Sequence, residues 1–414
     1  MVEKNTYRPE VDGLRAVAVL LVVFYHLGFE TFSGGFIGVD IFFVISGYII
    51  TSQIVEKSRS SYFSYVDFLK RRFWRLFPAL ITTVFVSAVY SALIFSPEHT
   101  VAAAQASAAS ALAWSNFLYW SQTDYFNADA ILKPLLHTWS LSVEVQFYFL
   151  WPVILVGALP IIGRTSISLL VLGCLALVML SEIWAHFDPA GAYFLLPARI
   201  FEFTIGALLV RVRHAEPQRS SLLNYMTITG AFAVLVPAIL YNSAIPFPGF
   251  AALLPGSGAA FLIYASRHTL AARVLGHWSM AALGRASYSI YLVHWPVIVF
   301  FSYGRADGLP SYLVGPVIIT ISALAAFQYQ LIEKYFRYAP ERAQLRYAAI
   351  GTTLTATIFL CVAGVSDRLL WSWRYSEEIS KAIDPAIAKE ARRYTWTQLR
   401  QLMACPHGVI RLEC

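Results

Sequence analysis

Charged side chains are scarce in this chain, and the scarcity excludes most soluble proteins. Asp, Glu, Lys and Arg make up 13% of the residues, against roughly 25% in soluble domains, whereas 58% are hydrophobic. The four cysteines form no Cys-Xaa-Xaa-Cys pair, and neither a Walker loop nor a Gly-Xaa-Ser-Xaa-Gly elbow occurs. These absences argue against metal catalysis and against ATP hydrolysis.

Apolar runs of transmembrane length recur along the whole chain. None is a short leading run with a small-residue cleavage site, so we expect no removed signal peptide. Hydropathy predicts an all-α, polytopic transmembrane helical bundle with eleven spans, near residues 13–29, 35–55, 76–96, 142–160, 166–184, 193–211, 222–241, 250–267, 285–303, 309–332 and 346–365. Because the number of spans is odd, the two termini should face opposite sides of the membrane.

The Lys and Arg residues between these runs fall mostly on one side of the membrane. With the N-terminus in the cytosol, twenty of them lie on the cytosolic side, and only Lys133, Arg199 and Arg305 lie on the other. This positive-inside bias predicts a cytosolic N-terminus and an extracytoplasmic C-terminus. The net charge of +7 resides largely in these cytosolic loops, so we infer no nucleic-acid partner.

The Ala- and Ser-rich segment 100–120 is long enough to span the membrane, but we do not count it as a span. A span there would reverse the side of every later loop and turn the arginines outward, against the charge rule. We therefore expect residues 97–140 to lie outside the cytoplasm, folded against the bundle or partly re-entrant.

Hydropathy divides the chain into three parts. These are a transmembrane domain, residues 1–340, an additional transmembrane helix, 341–365, and an extracytoplasmic linker or docking tail, 366–414. The tail contains Cys405 and Cys414, which an oxidising compartment would allow to form a disulfide. Whether these two cysteines pair stays open.

Two ionisable residues interrupt the first apolar run, Arg15-Ala-Val-Ala-Val-Leu-Leu-Val-Val-Phe-Tyr-His26. At about 1.5 Å of rise per residue, they lie roughly 16 Å apart along a helix, about half of the hydrocarbon thickness. Ionisable side chains in lipid cost free energy and usually serve a function. The spacing predicts one group at the cytosolic edge and one deep inside the membrane.

A basic and aromatic segment, residues 56–75, leads into the third span. Its arginines Arg71, Arg72 and Arg75 fall within about one helical turn, and Arg72 and Arg75 share a face that could hold phosphate oxygens. An interfacial helix that contacts anionic membrane lipid explains the same composition equally well. Both interpretations stay open.

A second polar group occurs in His137-Thr-Trp-Ser-Leu-Ser-Val-Glu144-Val-Gln-Phe-Tyr148. His137 and Glu144 are seven residues apart, so they share a face if the helix reaches that far. A carboxylate in the membrane needs a cation or a histidine beside it. Glu144 and His26 together could activate a hydroxyl as a general base, whereas a pairing of Glu144 with Arg199 would only join two helices.

Isolated polar residues in other spans have simpler explanations. Asp40, near the outer end of the second span, is more readily a cap or a hydrogen-bonding partner of a neighbouring helix than a catalytic group. His294 is more readily a core histidine whose hydrogen bonds are satisfied. Four glycines near Asp40 would let backbones or a ligand approach closely, namely Gly34, Gly35, Gly38 and Gly47.

Together these motifs resemble the acyltransferase 3 family of integral membrane acyltransferases, in order over about residues 7–340. The matching segments are Tyr7-Arg-Pro-Glu-Val-Asp-Gly-Leu-Arg15 with His26, Gly38-Val-Asp-Ile-Phe-Phe-Val-Ile-Ser-Gly-Tyr48, Phe68-Leu-Lys-Arg-Arg-Phe-Trp-Arg75-Leu-Phe-Pro78, His137-Thr-Trp-Ser-Leu-Ser-Val-Glu144-Val-Gln-Phe-Tyr148, Ser287-Tyr-Ser-Ile-Tyr-Leu-Val-His-Trp-Pro296 and Ile332-Glu-Lys.

The resemblance implies transfer of an acyl group, commonly acetyl, from cytosolic acetyl-CoA to a hydroxyl of an extracytoplasmic or lipid-linked glycan. The glycan could be a lipopolysaccharide O-antigen, an exopolysaccharide or peptidoglycan. The chain would be a multi-pass protein of the bacterial cytoplasmic membrane and would use no metal. By resemblance, His26 and Glu144 are catalytic, and four arginines bind the donor, namely Arg15, Arg71, Arg72 and Arg75. The supporting residues are Asp40, His137, Tyr148, Arg199 and His294.

Many members of this family continue into an outward-facing SGNH-type hydrolase-like domain. No Gly-Asp-Ser block follows the last span of this chain, so we expect that domain to be absent or supplied as a separate partner. The alternative function is a proton-coupled transporter of a small anion or glycan intermediate, because intramembrane His, Glu and Arg also mark such pathways. No inverted repeat supports it. A scaffold that only binds explains the buried ionisable groups least well.

Overall fold

A computed structural model describes residues 7–60, 63–122, 132–162, 165–212, 220–265, 269–305 and 308–337. Within these ranges every regular element is a helix, which confirms the all-α prediction. The eleventh predicted span, 346–365, and the tail 366–414 with Cys405 and Cys414 lie outside the described residues. The count of eleven spans and the sidedness of the termini stay predictions.

Sixteen helices follow one another along the described part of the chain. They are α1 (Pro9–His26), α2 (Gly38–Ser60), α3 (Tyr65–Ile94), α4 (Pro97–Ala111), α5 (Ser115–Gln122), α6 (Thr138–Ile162), α7 (Ile167–Phe187), α8 (Pro189–Phe194), α9 (Leu196–Val212), α10 (Ser220–Leu240), α11 (Gly249–Ala265), α12 (Leu270–Leu275), α13 (Trp278–Arg285), α14 (Ser287–Ser302), α15 (Ser311–Gln328) and α16 (Lys334–Arg337). Two 3-10 turns, Glu30–Phe32 and Gly35–Ile37, connect α1 to α2.

Ten of the eleven predicted spans coincide with helices. Within the described ranges, the helical segments that are long and apolar enough to cross a membrane are Gly35–Ser58, Tyr65–Ile94, Thr138–Ala158, Ile167–Phe187, Pro189–Val212, Ser221–Leu240 and Ser311–Arg337. The three other helices that coincide with predicted spans are shorter or more polar. Helix α1 has 18 residues and carries Glu10, Asp12 and Arg15, while α11 and α14 have 17 and 16 residues.

Residues 97–122 fold as two helices rather than as one span. Ala113 has a φ of 53°, in the left-handed region, and separates α4 from α5. Helix α4 has only 15 residues and packs on α3, whereas α5 packs on α6 and α8. Ser107 and Ser115 are fully buried in these contacts. The segment therefore folds against the bundle, as expected, and its placement outside the cytoplasm stays a prediction.

Helix α2 lies at the centre of the bundle, where it packs against α1, α6, α9 and α11. The approach to α9 requires glycine on both helices, because a Cβ on Gly47 would lie 2.0 Å from the Phe203 carbonyl oxygen and one on Gly206 would lie 2.0 Å from that of Val44. Gly38 meets α1 in the same way, 2.3 Å from the Ala18 carbonyl oxygen. These contacts confirm that glycines allow close backbone approach and place α2 against both partners.

The last described helical segment contains a π turn, Tyr329–Glu333, which joins α15 to α16. Gln328, which directly precedes the turn, and Glu333, its last residue, are both buried. Gln328 accepts a hydrogen bond from Thr83 of α3 at 3.1 Å, and Glu333 accepts one from Ser289 of α14 at 2.7 Å. The π turn thus directs two polar residues that are five positions apart into the bundle. Hydropathy gave no sign of it.

Candidate active site

Arg15 and His26 lie on one unbroken helix, as the sequence predicted. Arg15 is in the second turn of α1, with its Nη1 3.6 Å from the Asp12 carboxylate, and His26 is the last residue of the helix. We call the two levels of the bundle at which these residues lie the arginine end and the histidine end. Several of the other candidate residues lie at one of these two ends, whereas Arg71, Asp40 and Arg199 lie elsewhere.

A cavity of about 60 Å³, with room for a few water molecules, lies at the arginine end. Three guanidinium groups line it, from Arg15 of α1 and from Arg72 and Arg75 of α3. Glu144 is the one acidic residue among the described residues of its wall. The other polar residues of the wall are Ser46, Ser140, Tyr148, Ser287, Tyr288 and Tyr291. Three permanent positive charges around one carboxylate favour an anionic ligand.

The guanidinium groups of these arginines differ in the hydrogen bonds and ring contacts that the protein gives them. Arg72 donates a hydrogen bond to Gln53 at 2.5 Å, and its guanidinium lies over the rings of Phe68 and Tyr148, 5.6 Å from each centroid. Arg75, by contrast, has a buried Nε without a hydrogen-bond partner. A donor left unsatisfied in a cationic wall is the kind of group that a phosphate oxygen would satisfy.

Arg71 is separated from its two neighbours. Its side chain is exposed and is not part of the cavity wall, whereas Arg72 is buried. The shared face predicted for Arg72 and Arg75 therefore points to the cavity. Both interpretations of the segment stay open, because its buried face forms part of the cavity wall and Arg71 is exposed at the surface.

Glu144 has partners other than those the sequence suggested. It accepts hydrogen bonds from the hydroxyls of Ser46 on α2 and Tyr148 on its own helix. The described contacts of Glu144 include neither the expected pairing with His26 nor the alternative pairing with Arg199, whose carboxylate partners are Asp40 and Glu202. The Glu144 carboxylate lies in the wall of the arginine cavity instead.

The histidine end brings together residues from three distant parts of the chain. His26 Nδ1 lies 3.0 Å from Nε2 of His294, and the two rings are stacked with centroids 5.2 Å apart. His137 packs edge-on against His294 at 5.5 Å, and both of its ring nitrogens are buried without a hydrogen-bond partner. His294 is thus a buried histidine with both ring nitrogens in hydrogen-bond contact, as the simpler interpretation predicts, but one of its partners is the candidate catalytic residue His26.

Tyr291 connects the two ends. Its hydroxyl lies 2.6 Å from Ser140 Oγ and donates a hydrogen bond to the His137 carbonyl oxygen at 3.0 Å. Tyr291 and Ser140 both line the cavity, while the Tyr291 ring packs 5.3 Å from His294. Tyr291 thus separates the arginine cavity from the histidines. Ser287, Tyr291 and His294 have the spacing of one helix face. This polar spacing was the sequence signal that could have identified Tyr291 and His294 as members of the site.

Arg199 belongs to a different, fully buried ion network. Its Nη1 lies 3.0 Å from both the Asp40 and the Glu202 carboxylates, and its Nε donates to the Tyr193 carbonyl oxygen at 2.9 Å. The guanidinium also lies over the rings of Trp139, Tyr193 and Phe247 at 4.7–5.4 Å. Asp40 of α2 is thereby bonded to α9, which confirms the helix-joining interpretation of Asp40.

The potential metal-ligating side chains of the described residues form no metal site. Across the described ranges, no group of three or more His, Cys, Asp or Glu side chains is arranged to hold a metal ion. The ligand that the geometry favours is an anion at the arginine end, with imidazole chemistry at the other end.

Comparisons with known proteins identify the family of this chain. A family model described as an acyltransferase domain matches residues 8–328. The O-acetyltransferase OatA of Staphylococcus aureus strain MRSA252 is 32% identical over 398 residues, which cover 88% of this chain and 64% of that protein. The putative peptidoglycan O-acetyltransferase YrhL of Bacillus subtilis is 36% identical over 358 residues, which cover 81% and 56%.

A third relative, the peptidoglycan O-acetyltransferase OatA of Listeria monocytogenes, is 32% identical over 315 residues, which cover 70% of this chain and 49% of the relative. The chain thus spans about half to two thirds of the length of these relatives. No solved structure matches it significantly. Because the family model covers well over half of its residues, the chain belongs to the acyltransferase 3 family of integral membrane acyltransferases.

Proposed function

We propose that this chain is an acetyl-CoA-dependent glycan O-acetyltransferase of the bacterial cytoplasmic membrane, with peptidoglycan as its acceptor. The names of the B. subtilis and L. monocytogenes relatives specify peptidoglycan, which favours this glycan over the lipopolysaccharide and exopolysaccharide that the motifs also allowed. The family supports an acyltransferase over the transporter alternative.

The observation that carries the proposal is the cationic cavity at the arginine end, on the same helix α1 that ends at His26. Arg15, Arg72 and Arg75 would hold phosphate oxygens of the donor at the cytosolic side, which the distribution of Lys and Arg assigns to this end. Arg15 and His26 lie about 16 Å apart along α1, so an extended pantetheine arm can run between them. The thioester then meets His26 while the phosphates stay at the arginines.

The cavity is much smaller than an acyl-CoA, so donor binding must widen it. Tyr288 and Tyr291 line the cavity, and their hydroxyls donate hydrogen bonds to the Leu76 and His137 carbonyl oxygens. Rotation of Tyr291 would open the path from the cavity to His294 and His26. In this proposal Glu144 is the counter-charge of the donor cavity and orients the Ser46 and Tyr148 hydroxyls.

The chemistry at the histidine end is acyl transfer with His26 as general base. As the glycan hydroxyl oxygen attacks the thioester carbonyl, His26 takes the hydroxyl proton, and the C–S bond breaks when the tetrahedral intermediate collapses. The thiolate that leaves takes the same proton back from His26, so the products are an acetyl ester and free CoA. No metal is required by these steps. An SGNH-type domain, supplied separately, would be a further partner if the acetyl group reaches the glycan in two transfers.

Membranes that contain the full chain test this proposal with acetyl-CoA labelled in the acetyl group and soluble peptidoglycan fragments as acceptor. We expect label in the glycan with the wild type and about 10²–10⁴-fold less with His26→Ala, the usual loss on removal of a general base. Adding a purified SGNH-type domain to a second sample distinguishes one transfer from two.

Three outcomes would contradict the proposal. Label that stays on acetyl-CoA in both samples excludes the transfer, and unmodified glycan crossing the membrane favours the transporter. Label that enters lipopolysaccharide or exopolysaccharide but not peptidoglycan keeps the enzyme and rejects the acceptor. His186→Gln, an exposed histidine of α7, is the control for nonspecific loss of activity.

A further inference from the structure

We propose that His294 is a positioning residue that fixes the tautomer of His26 so that Nε2 of His26 is its basic nitrogen. The inference rests on the proposed function, in which His26 is the general base. It assigns a role to a residue that lies 268 positions away in the chain, and it specifies which ring atom takes the proton.

The argument begins at the far side of the His294 ring. His294 Nδ1 lies 2.6 Å from the backbone carbonyl oxygen of Tyr291. A carbonyl oxygen only accepts hydrogen bonds, so Nδ1 must carry the hydrogen. In a neutral imidazole the other nitrogen then has a free lone pair, and Nε2 of His294 is therefore an acceptor.

The same logic passes to His26. Its Nδ1 lies 3.0 Å from the lone pair of His294 Nε2, and two acceptors do not form a hydrogen bond. His26 Nδ1 must carry the hydrogen and donate it, which leaves Nε2 of His26 as the unprotonated nitrogen. The tautomer of one ring thus determines the tautomer of the other.

Burial favours the neutral form of His294 on which this argument depends. His294 is 0% exposed and has no hydrogen bond to a carboxylate among the described residues, so a charge on it would be uncompensated. The His137 ring packs against it at 5.5 Å, and Trp295 packs 4.5 Å from His26 on the other side. These rings hold both imidazoles in place, so the hydrogen bond has one geometry.

The arrangement does with a second imidazole what a carboxylate does in a Ser-His-Asp triad. When His26 Nε2 takes the hydroxyl proton, His26 becomes an imidazolium with hydrogens on both nitrogens. His294 Nε2 accepts the Nδ1 hydrogen throughout and stabilises that charge, and the Nε2 proton then leaves with the thiolate of CoA. His294 itself gains and loses no proton.

Two variants with different acceptor capacity test the assignment. His294→Leu removes the acceptor, and we expect kcat for acetyl transfer to fall about 10²-fold with KM for acetyl-CoA within twofold of wild type. His294→Gln places an amide oxygen near the former Nε2 position, and we expect it to restore kcat to within about tenfold of wild type. A residue that only fills space would give equal losses in both variants.

Solid-state NMR of the full chain in lipid, with ¹⁵N-labelled histidine assigned through His26→Gln, reads the tautomer directly. We expect a protonated Nδ1 and an unprotonated Nε2 at His26 in the wild type and in His294→Gln, and a mixture in His294→Leu. A protonated Nε2 in the wild type would overturn the proposal, as would full kcat in His294→Leu.

The measurement also separates this inference from the proposed function. If the wild type transfers no acetyl group to any glycan, the proposed function fails, but the NMR spectra still decide whether His294 fixes the His26 tautomer. Thermal unfolding in detergent confirms that His294→Leu is folded. If that variant does not fold, the wild-type spectrum and the rescue by His294→Gln decide the matter.

Discussion

The bundle contains two buried groups of arginine that differ in how completely the protein neutralises them. Arg199 is held by two carboxylates, one carbonyl oxygen and three aromatic rings. Arg15, Arg72 and Arg75 line a cavity whose wall has one carboxylate, Arg15 also lies 3.6 Å from the Asp12 carboxylate, and the buried Nε of Arg75 has no hydrogen-bond partner. Both groups lie within the same apolar bundle, yet only the second leaves positive charge uncompensated.

The difference shows which buried charges hold the fold and which await a ligand. Two carboxylates within the chain compensate the positive charge of Arg199, so this network joins α2 to α9 without an anionic ligand. A buried cation without enough counter-charge costs free energy in the unliganded protein, and an anionic ligand removes that cost. Arg199 is thus structural, and the three cavity arginines form the candidate donor site.

The largest expected effect is the loss of Arg199. Arg199→Leu leaves Asp40 and Glu202 buried without a cation, and removal of one partner of such a pair typically costs about 3–5 kcal/mol of folding free energy. Unfolding of the purified protein in detergent measures the loss. Asp40→Asn with Glu202→Gln in the Arg199→Leu background should recover part of it. A stable single variant would show that Arg199 is not structural.

The next prediction tests whether helix α2 positions both the Arg199 network and the arginine cavity. Gly47 lies on α2, which carries both Asp40 of the ion network and Ser46 of the cavity wall. Gly47→Leu forces α2 away from the Phe203 carbonyl oxygen, and overpacking of this kind costs about 1–3 kcal/mol or more. Both stability and acetyl transfer should fall.

The control for Gly47→Leu is Gly173→Leu on α7. A Cβ on Gly173 meets nothing within 4 Å, so we expect no change in stability or activity. If Gly47→Leu reduced activity without reducing stability, the close approach of α2 and α9 would serve the cavity alone.

The third effect concerns ligand binding rather than folding. Arg75→Gln keeps a polar side chain but removes the charge, and loss of a charged hydrogen bond of about 1.5–3 kcal/mol raises the Kd of CoA by roughly 10–100-fold. Equilibrium binding of CoA to the purified chain measures this. Arg71→Gln is the matched control, because Arg71 is exposed and outside the cavity wall. Equal effects of the two variants would remove the distinction between them.

The smallest effect is the response to salt. Raising the ionic strength from 0.05 M to 0.5 M shortens the screening length, and we expect the Kd of CoA for the cavity to rise roughly threefold. The Arg199 network is fully buried, so salt should hardly screen it. We therefore expect the midpoint of thermal unfolding of the protein to stay the same over this range of ionic strength. A salt-independent Kd would indicate that phosphates are not held by these arginines.

The sequence predicted those features that depend on position along a helix. Arg15 and His26 on one helix, the shared face of Arg72 and Arg75 and the close approach at Gly47 all follow from helical periodicity and residue size. The partners of His26 and Glu144 did not follow, because hydropathy gives no rotation of one helix about its axis relative to another. His294 and Ser46 meet these residues only once the rotations are fixed.

The π turn Tyr329–Glu333 has a consequence for changes in chain length. Gln328 and Glu333 both reach into the bundle because a π turn brings residues five positions apart onto one face, whereas an α-helix does so for residues four positions apart. Deleting one residue between them would restore an ordinary α-helix with the two side chains four positions apart and still on one face. Inserting one residue there would turn Glu333 away from Ser289. This helix is therefore tolerant to shortening by one residue and intolerant to lengthening by one.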